Sequence, residues 1–157
     1  MNIYNKTIEI IDFTNDLSEP IKLLNYEWLE KYFCIEDDDI LSLSNPKKYI
    51  VDKGGFIYYA KFGNKIVGTA SLLKRNETIY ELGKMAVTDS KKGLGIGNML
   101  LEHCLYEAKQ KQIKTLILYS NTTLKSALNL YRKFGFKEIE LESGFYERAN
   151  IKMEKHL

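Results

Sequence analysis

One hexapeptide, Lys92-Gly93-Leu94-Gly95-Ile96-Gly97, constrains this chain more than any other stretch. It follows a strand-like run, Tyr80 to Val87, after a short polar turn, and leads directly into an amphipathic helix pattern. Glycine has no Cβ, so three of them at alternate positions let backbone N–H groups close around a bulky anion at a helix start, where the helix dipole is positive. The spacing therefore predicts a phosphate site. A tight turn with a small-residue helix contact fits the same six residues, so the flanking sequence decides between the two.

The flanks belong to one globular domain, 1–157: at 45% hydrophobic and 28% charged residues, 157 residues build one core with no spare length for a second. The net charge of +2 comes from interleaved lysines and acids rather than from a basic block, which argues against a nucleic-acid partner. Cys34 and Cys104 are the only cysteines and form no Cys-x-x-Cys pair, and Met1 to Lys6 lacks the apolar core of a leader. A reduced, cytoplasmic protein is expected. No apolar run approaches the about 20 residues that cross a bilayer, so no membrane role is expected.

Along the chain, Thr7 to Phe13 alternates as a strand. Ser18 is placed to cap a helix over Glu19 to Tyr32, with Pro20 in its first turn. The acidic run Glu36 to Asp39 suits the N-terminus of a second, short helix that Pro46 ends or restarts. Phe56 to Phe62, Ile66 to Leu73 and Thr78 to Val87 read as a meander of three strands, with Gly63-Asn64 as the first turn. Gly95 to Lys111 carries helical spacing, Thr115 to Tyr119 is a short apolar strand, and Leu124, Ala127, Leu128 and Tyr131 repeat at i, i+3, i+4 and i+7 before Gly135. Phe136 to Leu141 and Tyr146 to Met153 complete the set. A mixed α/β fold follows, with about seven strands in one mostly antiparallel sheet and about four helices on its two faces.

Several spaced motifs then agree in order: Glu81-Leu82-Gly83-Lys84-Met85-Ala86-Val87, the glycine loop, Ser120-Asn121, and Ala127-Leu128-Asn129-Leu130-Tyr131-Arg132-Lys133-Phe134-Gly135-Phe136. Together they resemble the GNAT superfamily of acyl-CoA-dependent N-acetyltransferases. The loop pattern of that family opens on Arg or Gln; Lys92 stands there in this chain, keeping the charge without the fork geometry of Arg.

The resemblance implies acetyl-CoA as co-substrate and no metal. Backbone N–H groups of Gly93, Leu94, Gly95, Ile96, Gly97 and Asn98, with Lys92 beside them, would hold the pyrophosphate. Met85, Ala86 and Val87 would pair with the pantetheine arm, Asn121 would lie beside it, and an N–H near Met85 would polarise the thioester carbonyl. Glu81 stands where related enzymes place a general base, and Tyr131 where they place the acid that protonates the departing thiolate. Each has a purely structural alternative: Glu81 as a solvent-facing strand residue or a partner of Lys84, Tyr131 as packing in the Leu124-Ala127-Leu128 stripe. A CoA-binding sensor without catalysis is the alternative for the whole chain.

His103 and His156 lack a second ligand at metal spacing and read as surface residues, His156 near a frayed end. Cys104 reads as core, and Cys34 lacks the histidine a nucleophile needs. The partner is expected to be a small-molecule or peptide amine, with the protein a monomer or homodimer. Trp28, Tyr32 and the Glu36 to Asp39 run could form an acidic, aromatic rim suited to a cationic amine, with ordinary capping of a helix by the acids and core packing of Trp28 as the alternative, and Tyr146 to Asn150 is a further segment that could border the acceptor.

Overall fold

The structure is a computed structural model that describes residues 7–143 and 146–157; the Met1 to Lys6 start, read above for a leader, lies outside the described residues. Strands β1 (Ile8–Asp12), β2 (Phe56–Phe62), β3 (Lys65–Lys74), β4 (Ile79–Val87), β5 (Thr115–Ser120), β6 (Lys137–Ile139) and β7 (Ile151–His156) form one sheet in the order β1-β2-β3-β4-β5-β7-β6. Each neighbouring pair is antiparallel except β4 with β5, which run parallel. A parallel pair needs a crossover, and α3 (Ile96–Gln110) supplies it. The remaining helices are α1 (Pro20–Tyr32), α2 (Asp37–Ser44) and α4 (Lys125–Lys133). The mixed, mostly antiparallel sheet expected from the sequence is the one observed.

The two faces bury two separate clusters. On one face α3 inserts Ile96, Leu100, Leu101, Cys104 and Ala108 against Tyr58, Leu72, Leu82 and Leu116. That spacing keeps an apolar stripe on one side of the helix, and each fully buried Leu or Ile is worth about 1.5–3 kcal/mol. On the other face Ile21 and Leu29 of α1 and Leu43 of α2 pack on Ile57, Tyr59 and Leu73.

Local chemistry departs from the sequence reading in four places. Ser18 does not cap α1: it ends a short turn over Asn15–Leu17, and the Ile21 N–H donates instead to the Tyr59 hydroxyl at 3.3 Å. The expected break at Pro46 does occur: the chain restarts there as a wide five-residue turn, Lys47–Val51, closed by Asp52 N–H to Lys47 C=O at 2.7 Å. The last strand begins at Ile151 rather than Tyr146, because 146–150 is held as a loop by side chains described below. It runs through His156, which pairs with Thr115 and is not frayed. His103 is half-buried rather than a free surface residue: its ring meets Tyr58 edge-on at 4.7 Å and its Nε2 is buried 3.8 Å from Glu107.

The feature that shapes the site is a bulge in β4. Thr69 of β3 faces Ala86 and Ser71 faces Gly83, so Lys84 and Met85 oppose Ala70 alone. Lys84 takes φ 50°, a left-handed conformation that costs a side-chain-bearing residue about 1–2 kcal/mol. The turned carbonyl of Lys84 is caught by Asn25 of α1, whose Nδ2 donates to it at 3.1 Å and to Ile21 C=O at 2.9 Å, while Oδ1 accepts from Trp28 Nε1 at 3.2 Å. Asn25 is 1% exposed, so water cannot replace it. Asn25→Ala is therefore expected to lower stability by about 1–3 kcal/mol, the cost of stranding a buried carbonyl, seen as a lower urea midpoint at unchanged slope. An unchanged midpoint would mean that α1 does not hold the bulge.

Candidate active site

β4 and β5 pair only through Ile79 with Thr115, Tyr80 with Leu116 and Glu81 with Ile117. Beyond Glu81 the strands part, and a cavity of about 950 Å³ opens in the wedge. The Thr88 N–H donates to Val67 C=O of β3 at 2.9 Å, so strand alternation turns the backbone groups of Val87 and Met85 away from β3 and into the gap. Ala86, paired with Thr69, turns its backbone toward β3 instead; all three residues line the wall.

At one end of the wedge lies the glycine loop. Gly93 and Gly95 take φ of 83° and 79°, and a Cβ on either would point into open space. Among the described residues no backbone acceptor takes the N–H groups of Gly93 to Asn98, and the last three begin α3, where helix geometry leaves them unpaired. Gly97 keeps the wall low: a Cβ there would sit 3.6 Å from Leu130 and Met85. Lys91, Lys92 and Lys125 add positive charge to the same wall. Six successive N–H donors without a backbone acceptor, with three lysines on the same wall, suit an anion.

Four of the residues from Lys92 to Asn98 sit differently from a uniform cradle. Leu94 does not line the cavity; its side chain is 59% exposed, so only its N–H can take part. Ile96 buries its side chain in the core and likewise offers its N–H. Lys92 is paired with Asp89 at 2.8 Å, and the Asn98 side chain accepts from Lys133 at 3.0 Å. Asn121 lines the wall, but its amide works inward: Nδ2 donates to Arg148 C=O at 2.8 Å and Oδ1 accepts from Thr123 N–H at 2.9 Å.

Glu81 and Tyr131 open onto the cavity from opposite faces of the sheet. Tyr131 packs with the α3 cluster and against Phe136 at 6.0 Å, and its hydroxyl has no hydrogen bond among the described residues. Burial pushes its phenol up to about 12, so it is protonated at neutral pH. Glu81 lies on the α1 and α2 face beside Leu73, 3% exposed. It is neither solvent-facing nor a direct partner of Lys84. Its Oε1 accepts from Arg75 Nε at 3.0 Å and from Nη2, and its Oε2 accepts from the Tyr146 hydroxyl at 3.1 Å. Burial lifts its carboxyl above the ordinary range, while Arg75 and Tyr146 pull the other way. Tyr146 in turn stacks edge-on with Tyr119 at 5.4 Å.

The acidic rim is not a rim. Asp39 is fully buried, bound by Lys84 Nζ at 3.0 Å and by Arg148 through two bonds of 2.7 and 3.0 Å. Glu36 accepts from Arg148 at 2.5 Å and from Glu147 N–H at 3.0 Å. Neither acid lines the cavity, whereas Lys84, Arg148, Trp28, Tyr32 and Tyr146 do. Desolvation alone would raise the Asp39 pKa, but the Arg148 hydrogen bond and the Lys84 charge outweigh it and hold the carboxyl below its ordinary value.

An acetyltransferase (GNAT) family model matches residues 21–136, which includes the bulge, the glycine loop and Tyr131. This chain belongs to the GNAT family. It is 30% identical over 90 residues to the bS18-alanine N-acetyltransferase of Haemophilus influenzae, covering 55% of this chain and 58% of that protein. It spans between 29% and 58% of the length of the curated relatives it matches. A GNAT acetyltransferase from Staphylococcus aureus superposes with TM-score 0.84 at 26% identity, covering 96% of this chain and 99% of that one. A GNAT acetyltransferase from Elizabethkingia anophelis with acetyl-CoA bound has TM-score 0.73 at 24% identity, with 96% and 98% covered.

Within this GNAT chain the sequence reading missed Asn25, Lys84 and Arg75 as site residues, and it did not orient Tyr146 or Arg148. Arg75 sits in a polar turn with no motif, and Arg148 lies beyond the matched span. Because the Asp39 pKa is depressed, its ionised form favours the folded chain; that stability is complete above the ordinary aspartate value of about 3.9 and fades as pH falls through the lower folded value. Asp39→Asn should cost about 3–5 kcal/mol at pH 7, the usual penalty for breaking a buried pair. In denaturation series the gap from the parent protein should close below about pH 4. A gap that does not change with pH would assign the loss to packing.

Proposed function

We propose that residues 1–157 form one acetyltransferase domain that moves the acetyl group of acetyl-CoA to a primary amine by direct attack. The observation that carries this reading is the through-going wedge, with the N–H cradle at one end and Glu81 and Tyr131 meeting it from opposite faces. Such a shape lets two substrates approach from two sides and meet in the gap. The Elizabethkingia structure with acetyl-CoA supports the donor, and the Haemophilus relative, named for the alanine of a ribosomal protein, supports an amine as acceptor; a small-molecule or peptide amine is the proposed class.

In this reading the N–H groups of Gly93 to Asn98 hold the pyrophosphate, and the backbone of Met85 and Val87, turned into the gap, pairs with the pantetheine arm. The Met85 N–H steadies the thioester oxygen as charge grows on it. Glu81, made more basic by burial, takes a proton from the incoming ammonium. The nitrogen bonds to the acetyl carbon, the carbon–sulfur bond breaks, and Tyr131 gives its hydroxyl proton to the sulfur. The second amine proton restores Tyr131, and Glu81 releases its own to solvent.

Tyr131→Phe keeps the ring against Phe136 and removes the donor, so turnover should fall by about 10²–10⁴ with acetyl-CoA affinity almost unchanged. A thiol-release assay at saturating substrates, with calorimetry for affinity, measures both, and full turnover in the variant would leave Tyr131 as packing only. For Glu81→Gln the loss should be largest at neutral pH and shrink as pH rises and solvent supplies free amine. The parent's acid limb in kcat/KM should lie above the ordinary glutamate value of about 4.3, since burial raises this carboxyl. Parallel pH–rate profiles for parent and variant would return Glu81 to a structural part.

A further inference from the structure

The acceptor side of the wedge is supplied with donors and aromatic rings, and the protein has already used its acids and most of its ring faces. Glu36 and Asp39 sit behind the wall, consumed by Arg148 and Lys84, and both oxygens of Glu81 are taken by Arg75 and Tyr146. The rings that would cage an ammonium ion carry the protein's own cations: Arg148 lies over Trp28 at 5.9 Å and over Tyr146 at 5.1 Å, and Lys31 lies over Tyr32 at 5.2 Å. Beyond Glu81, which in the proposed reading takes the proton of the reacting amine, a polyamine entering here would find no free carboxylate among the described residues for its further ammonium groups.

Arg148 has the opposite surplus. A guanidinium carries five N–H donors in a planar fork. Three go to Asp39 and Glu36, through Nη1 twice and Nη2 once, and among the described residues nothing takes the Nε donor or the second Nη2 donor. Its plane is fixed by those bonds and by the two rings, so it needs no reordering to bind.

We propose that Arg148 is an acceptor-specificity residue that binds a carboxylate, so that the acceptor is an amine bearing its own acid group, as in a free amino acid. This rests on the acetyl-transfer reading and narrows its acceptor.

The test uses the full chain, acetyl-CoA and a thiol reporter with a panel of amino acids, their carboxamides, short peptides with free N-termini, spermidine and spermine. The expected result is turnover of at least one amino acid with kcat/KM about 10–100-fold above that of its own carboxamide, the worth of a hydrogen bond to a charged group. In Arg148→Gln that ratio should fall toward 1, with Arg148→Lys between the two. The amino acid and amide comparison is made on the parent protein, so a poorly folded variant does not blunt it. Equal rates for acid and amide, or preferred turnover of a polyamine or of a peptide lacking a nearby carboxylate, overturns the proposal while leaving acetyl transfer intact. Acetyl-CoA binding that calorimetry cannot detect, with no thiol released for any amine, overturns the transfer reading itself.

Discussion

The left-handed turn of Lys84 in the middle of β4 is the constraint on which the rest of the site depends. A straight β4 would go on pairing with β5 and leave no wedge. The bulge diverts the strand after its last paired residues, and the fold holds it through both ends of one residue: the carbonyl on Asn25 and the ammonium on Asp39. Each partner comes from a different helix, so α1 and α2 are packed on the face of the sheet where they can restrain it. Strain of about 1–3 kcal/mol at such a residue persists only where surrounding bonds over-determine it. Here a buried amide and a buried ion pair do so.

The same bonds explain why the loop before β7 becomes a wall of the cavity. Tyr146 is fastened to Glu81, the Glu147 N–H to Glu36, the Arg148 carbonyl to Asn121, and Asn150 to Thr122. Four anchors within five residues, with the Asn150 N–H on the Ser120 carbonyl of β5, hold a segment that is not itself a strand. Asn121 thus shapes the site by fixing the chain that carries Arg148. Burying ions in this way is seldom a gain in stability over an apolar core, since desolvation offsets most of the attraction. The arrangement serves position: it aims a guanidinium, a phenol and a carboxylate at one space.

What could be read in the sequence was local. The left-handed turns at Gly93 and Gly95 require glycine, the α3 stripe has helical spacing, and Tyr131 repeats with its own helix, so each declares itself within a few residues. The motif order from Glu81 to Phe136 added the fold, because its pieces sit on one crossover. The acceptor side depends on pairs far apart along the chain, Arg148 with Asp39 and Tyr146 with Glu81, which no periodicity encodes. An acidic run at a helix start therefore read both as capping and as an exposed rim; the capping is there, with Asp39 accepting from the Glu36 N–H, but the run's most important member is fully buried and already neutralised. Glu81 was found by its position and its environment was not, since its partner Arg75 lies across a turn of polar residues that any solvated loop could share.

The placement of chemistry on two faces also bears on the route of transfer. A covalent acyl-enzyme needs a nucleophile with a base at hydrogen-bond distance. Neither cysteine lines the cavity: Cys104 is buried in the α3 cluster, where burial pushes its thiol up, and Cys34 is exposed beyond the end of α1. The serine and threonine hydroxyls along the wall, Ser120, Thr123 and Ser126, have no hydrogen bond to a histidine or carboxylate among the described residues; of the wall tyrosines, Tyr146 donates to Glu81 and Tyr119 to Glu142. In the proposed reading Glu81 takes a proton and Tyr131 gives one, on opposite sides of a gap between two strands. A base and an acid so divided serve a reaction in which both substrates are present together, the amine arriving across the sheet from the thiol that leaves.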